Sequence, residues 1–139
     1  MREIKFRAWD NVADEMFYCG EDVDILFTLG SAGIECADIR NVSPSGDGVD
    51  DMEHLNYMQF TGLTDKNGKE IYEQDILEVE SFEGSKSVVR VVFDDGCFCH
   101  IGHLGDLRTY PLRDFLFNGS KVQVIGNIFQ HPHLLEESK

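Results

Sequence analysis

The sequence predicts a mainly β protein, and three observations predict it. In the opening segment Ile4, Phe6 and Ala8 alternate with Lys5, Arg7 and Trp9, the period of a half-buried strand. From Leu55 onward the same alternation recurs in short segments, at residues 55–60, 70–72, 76–81, 88–94, 97–101 and 122–129. Between them stand the dipeptides Asn67-Gly68 and Asp95-Gly96, whose residues tolerate the positive φ of a type I′ hairpin turn. Short strands joined by tight turns at this spacing indicate a small closed barrel or a sandwich.

The first strand is followed by a turn at Asp10–Asp14 and a return strand at Glu15–Tyr18, so the chain opens with a hairpin. Residues 23–29, VDILFTL, fit strand or helix by spacing; β-branched and aromatic residues favour the strand. Residues 42–53, VSPSGDGVDDME, hold a proline, two glycines and little to bury, and read as an acidic linker. In the hairpin around Asp95-Gly96, Val89, Val91 and Phe93 face one side and Val88, Arg90 and Val92 the other. Pro111 forbids an unbroken helix across LRTYPLRDFLF, leaving room for one or two turns over Leu112–Asn118.

With 139 residues the chain amounts to one domain, or a small domain with an elaborated N-terminal half. Acidic residues number 26 against 12 basic ones, a formal charge of −14. Phosphate backbones are bound by neutralising them with Lys and Arg, so this balance disfavours nucleic acid. It suits solubility, or a basic protein partner, a DNA mimic being the sharpest form of that idea. A nucleic-acid module would need Arg2, Lys5, Arg7, Lys86, Arg90, Arg108, Arg113 and Lys121 on one surface. The N-terminus MREIKFRAWD lacks the apolar core of a signal peptide, and no apolar run approaches the about 20 residues of a membrane span. Cys19, Cys36, Cys97 and Cys99 are too scattered for a disulfide framework, so reduced thiols in the cytoplasm are expected.

Four ordered blocks, REIKFRAWD, QFTGLTDKNGKEIYEQDIL, VVFDDGCF and VIGNIFQHPHLL, resemble the YopX family of bacterial phage and prophage proteins. The resemblance runs from Arg2 to Leu135 and is weakest over residues 19–53. It rests on fold-signature residues, among them Gly62, Asn67, Gly68, Ile71, Tyr72, Asp75, Gly96, Gly126 and Asn127. It implies an SH3-like small barrel in the C-terminal part, residues 54–139, preceded at 1–53 by the N-terminal β-hairpin, a variable segment and the acidic linker. It also implies a cytoplasmic location in the infected host, and it brings no biochemical activity. One position departs: Gln74 stands where the family's corner usually has glycine, so a positive-φ turn is either strained or rebuilt there.

Candidate chemistry is sparse. Cys97, Cys99, His100 and His103 are suitable zinc ligands by type, but their spacing lacks the separated ligand pairs of a structural zinc site. On a strand Cys97, Cys99 and Ile101 share one face and Phe98 and His100 the other, and cysteines facing a core behave as small hydrophobes. His131 and His133 read as tail residues. No nucleophile stands beside a base and no glycine-rich loop opens a helix, so no catalytic residue, metal or cofactor is assigned. Most of the aromatic residues are expected in the core. Trp9 and Tyr72, amphipathic and beside charged neighbours, are the candidates for a protein-binding surface. The reading is a phage accessory protein of unassigned activity that binds a host or phage protein and has sheet edges that allow self-association. The alternatives are a metal- or cysteine-dependent enzyme and, behind it, a nucleic-acid-binding or DNA-mimic protein.

Overall fold

A computed structural model describes residues 3–22, 24–31, 33–40, 42–52, 54–94, 96–102, 108–114 and 121–137. The fold is mainly β, with one short helix among the described residues. Contacts divide the chain into two units, and the division falls between Gln59 and Phe60, inside a strand rather than at the acidic segment.

In the N-terminal unit the expected hairpin pairs β1 (Phe6–Asp10) with β2 (Glu15–Tyr18). The four-residue turn closes because the Asp10 carboxylate accepts the N–H groups of Val12 and Ala13. A second small sheet runs in the order β3 (Ile25–Gly30), β4 (Gly33–Asp38), β5 (Asp50–Met52). The strand reading of residues 25–29 therefore holds, while Val23 lies outside the described residues. The acidic segment is more than a linker. Its end forms β5, which pairs with β4 and buries Met52 with Ala8, Phe17, Ile25, Cys36 and Leu55 in the core of this unit.

The division falls inside β6 (Asn56–Thr64), whose first residues pair with β1 and whose last pair with β7 (Glu70–Tyr72). The C-terminal unit is built on a five-stranded antiparallel sheet. It contains β8 (Asp75–Glu80), β9 (Lys86–Asp94), β10 (Cys97–Gly102), β11 (Thr109–Pro111) and β12 (Lys121–Asn127), in the order β11-β10-β9-β8-β12. Leu77, Val79, Val89, Val91 and Val124 share its inner face with Ile71 and Leu112. The helix, α1 (His133–Glu137), ends the described chain. Of the helix expected over Leu112–Asn118, residues 115–118 lie outside the described residues.

The turn at Asn67-Gly68 is not type I′. Gly68 N–H donates to the Asp65 carbonyl at 3.0 Å and Asp65 N–H to the Lys69 carbonyl at 2.8 Å, and only Gly68 has positive φ, +82°. These are the bonds of a three-residue loop, a type I turn closed by a glycine bulge. The cause is Asp65, whose Oδ1 accepts from Asn67 N–H at 2.8 Å and Lys69 N–H at 2.9 Å. The same pattern recurs at Ser81–Ser85 and Ser43–Asp47. Each starts with Ser or Asp and has glycine fourth, the residues a type I turn favours there. At Asp95-Gly96, Asp95 lies outside the described residues.

Beyond β12 the chain doubles back. Asn127 Oδ1 accepts from Phe129 and Gln130 N–H, and its own N–H points to His131 Nδ1 at 3.3 Å. His131 is thus a packed residue, not part of a loose tail. A Cβ on Gly126 would lie 2.7–2.9 Å from His131 Nδ1, Cγ and Cβ, too close for either to stay. Gly126→Ala is expected to destabilise the protein by about 1–3 kcal/mol, the usual cost of an overpacked site. Adding His131→Ala should recover part of that loss. Urea midpoints for the two single variants and the double variant test this; strictly additive costs would remove the contact as the cause.

Candidate functional site

On β10 the side chains alternate as the sequence predicts. Cys97 and Cys99 share a face with their Sγ atoms 3.1 Å apart, while His100 on the other face stacks on Tyr110, ring centroids 5.6 Å apart. Burial, followed by the neighbouring Cys97, pushes the Cys99 thiol up to about 11. At neutral pH it is a thiol, and the thiolate is the form that attacks or binds metal. Burial also lowers the pKa of His100. His103 lies outside the described residues. Among those described, no three His, Cys, Asp or Glu side chains gather into a set able to hold a metal ion.

The structure buries both aromatic candidates. Trp9 is 7% exposed and Tyr72 is 4% exposed. Trp9 sits on β1, which has β2 on one side and β6 on the other, opposite Met16 and Asn56. The Tyr72 ring lies against Phe60, centroids 5.6 Å apart. Their charged sequence neighbours suggested surface positions, yet Asp10, beside Trp9, is itself buried and accepts from His54 Nε2 at 2.9 Å. Among the described residues two aromatics are exposed, and neither is one of these candidates. Phe82, at the Ser81–Ser85 turn, is 78% exposed and Phe93 is 55% exposed, with Phe98 edge-on to it at 5.2 Å. They stand near opposite ends of β9, about 20 Å or more apart at the rise of a strand, and form no joint patch.

A different surface stands out in the N-terminal unit. Residues 4–59 contain twelve Asp and Glu against three basic residues, Lys5, Arg7 and Arg40. Arg7 is buried, its Nε donating to Met58 Sδ at 3.3 Å, and Arg40 forks onto the Asp38 carboxylate. That fork holds Asp38 below the usual carboxylate range. Glu21, Asp24 and Glu35 are exposed. Amid these acids lies the apolar strand β3, with Leu26 48% and Leu29 79% exposed.

In the C-terminal unit the corner Tyr72–Asp75 joins β7 to β8. Asp75, fully buried, accepts Tyr72 N–H at 2.8 Å. Gln74 has φ +68°, the sign that the third position of a type II turn takes. Its N–H donates to the Val91 carbonyl at 2.8 Å and its carbonyl accepts Ile128 N–H at 3.0 Å, tying the corner to β9 and to the chain after β12. Its Oε1 is buried with no hydrogen-bond partner.

The family model for the YopX protein matches residues 5–136. The chain belongs to the YopX family. Protein yopX from Bacillus subtilis, known from its crystal structure, is 22% identical with a TM-score of 0.65, over 97% of this chain and 99% of that one. The crystal structure of protein EF1440 from Enterococcus faecalis is 27% identical with a TM-score of 0.58, over the same shares of the two chains. No curated protein sequence matches.

Membership in the YopX family gives the corner its meaning. Gln74 has the positive φ that the resemblance implied for a glycine corner, so the turn is strained and not rebuilt. A non-glycine residue in this region costs about 1–2 kcal/mol, and the orphaned Oε1 adds to the cost. Sequence reasoning missed the acidic concentration and the exposed β3. Counting charge by segment reveals the first; the second requires knowing which strands have neighbours. Gln74→Gly is expected to raise stability by about 1 kcal/mol, since relief of strain exceeds the added entropy of the unfolded chain. Gln74→Pro, which removes the N–H bound to Val91, should lower it strongly. The check is a urea midpoint at unchanged slope, and a Gln74→Gly midpoint below wild type would contradict the strain.

Proposed function

We propose that this YopX-family chain is a phage-encoded accessory protein without enzymatic activity that binds a basic protein partner in the bacterial cytoplasm. Its C-terminal unit serves as an SH3-like small barrel that carries the N-terminal unit. The observation that carries the reading is the charge of residues 4–59, where twelve acids face three bases and two of those bases, Arg7 and Arg40, are spent inside the unit. Such a surface attracts cationic partners, speeds their encounter and repels phosphate. Of the cations that a nucleic-acid face would need, Arg7 is buried and Arg90 half-buried. Among the described residues no helix is long and apolar enough to cross a membrane.

The test compares wild type with Glu21→Gln/Asp24→Asn/Glu35→Gln, which neutralises three exposed acids. Both are immobilised folded and offered a bacterial lysate at low and high salt. A basic protein retained by wild type, released by salt and absent from the triple variant is the expected result. Retention of the same proteins by both, or of proteins no more basic than the lysate, would overturn the reading.

A further inference from the structure

The sheet edges in this protein are not equivalent. The outer edge of β12 is occupied, because Lys66 N–H donates to the Val122 carbonyl at 2.9 Å and Asp65 Oδ2 accepts Val124 N–H at 2.9 Å. β11 has three residues and ends in Pro111, β5 has three and contains two Asp, and β2 has four and begins with Glu15. Short length, proline, charge and cover are the devices that keep edges from pairing. Among the described residues β3 has none of them. It runs six residues, ILFTLG, with no charge and no proline, and it stands at the end of its sheet.

The free side of β3 can be assigned residue by residue. The Asp24 carbonyl accepts Ile39 N–H at 2.9 Å, so Asp24 turns its backbone groups toward β4. Antiparallel pairing alternates, and Leu26 and Thr28 do the same. Phe27 and Leu29 therefore direct N–H and C=O outward, about 7 Å apart, the repeat that an incoming strand presents. Exposed Leu26 and Leu29 offer apolar contact on either side of that row. Acids frame it: exposed Glu21 and Asp24 precede the strand, and Glu35 lies opposite Thr28.

Resting on the proposed function above, we infer that the β3 edge takes up an extended segment of the basic partner as an added strand, one that alternates apolar residues with Lys or Arg. Backbone hydrogen bonds to Phe27 and Leu29 supply affinity, and the surrounding acids select the charge. A second copy of this chain is a poorer occupant, since it brings the same acids to the same place.

The probes are two capped octapeptides, alternating Val-Lys and alternating Val-Glu, and a Val-Lys peptide N-methylated at every residue, which has no residue N–H left to pair. The readouts are affinity and amide hydrogen exchange on the full chain. Val-Lys is expected to bind and to slow exchange at Phe27 and Leu29. Affinity should fall at least about tenfold for the N-methylated peptide and for Leu29→Pro, which removes an outward N–H and no ladder bond. Val-Glu should not bind. The N-methylated peptide tests pairing on wild type even if Leu29→Pro misfolds. If Val-Lys binds but leaves Phe27 and Leu29 unprotected, the edge inference is overturned while the acidic-surface reading stands. Equal binding of Val-Lys and Val-Glu overturns that reading as well, and failure of Val-Lys to bind overturns the inference. Protection of the same amides by self-association, without peptide, makes a second copy the occupant and also overturns it.

Discussion

One carboxylate organises the C-terminal unit. Asp65 accepts three backbone N–H groups, from Asn67 and Lys69 within its own turn and from Val124 on β12, 59 residues away. The first two set the turn type; the third attaches the hairpin to the sheet edge, helped by Lys66 N–H on the Val122 carbonyl. Burial alone would raise the pKa of Asp65, but the donors of Val124, Lys69 and Asn67 outweigh it and the pKa is lowered. The carboxylate's contribution is therefore fully present above its ordinary value of 3.8 and is lost as pH falls through the folded one. The Tyr72–Asp75 corner repeats the logic, with a buried Asp bonded to a backbone N–H and a strained residue bonded to β9 and to the chain beyond β12.

This economy explains why a family signature can be dense and still silent about activity. Residues such as Gly68, Asp75, Gly126 and Asn127 are demanded by turns and close approaches. They say how the unit closes, whereas function lives in sites placed on the fold. The N-terminal unit differs, because its second sheet ends in a strand that nothing among the described residues blunts, and acids far outnumber bases in it. The stapled edge at β12 and the open edge at β3 belong to one chain, so the open edge cannot be put down to a general neglect of edges.

Legibility followed the range of the interactions. The opening hairpin and β6 to β10 could be read because alternation and turn residues are local signals. β4 and β5 could not: GIECAD and DDM have little strand propensity, and what makes them strands is pairing with β3 and with each other. The turn at Asn67-Gly68 was located correctly but given the wrong type, since the dipeptide is visible while the reach of Asp65 to Asn67 and Lys69 is not. Trp9 and Tyr72 were misplaced for a similar reason. Charged neighbours describe the chain, whereas burial is decided by what packs on either side. The positive φ at Gln74 was legible because the resemblance supplied a corner geometry that one substitution had not abolished. Of the candidate site, the run ILFTL was visible as a strand; its position at an edge is a fact of topology.

The central claim, that the Asp65 carboxylate closes the C-terminal unit, is tested most directly by amide exchange and urea unfolding of Asp65→Ala. Losing a buried carboxylate that satisfies three donors should cost about 2–4 kcal/mol, with the midpoint lowered at unchanged slope. Exchange at Asn67, Lys69 and Val124 should accelerate more than exchange at Val89 and Val91 in the sheet interior. A midpoint close to wild type, with Val124 as well protected as before, would contradict the account.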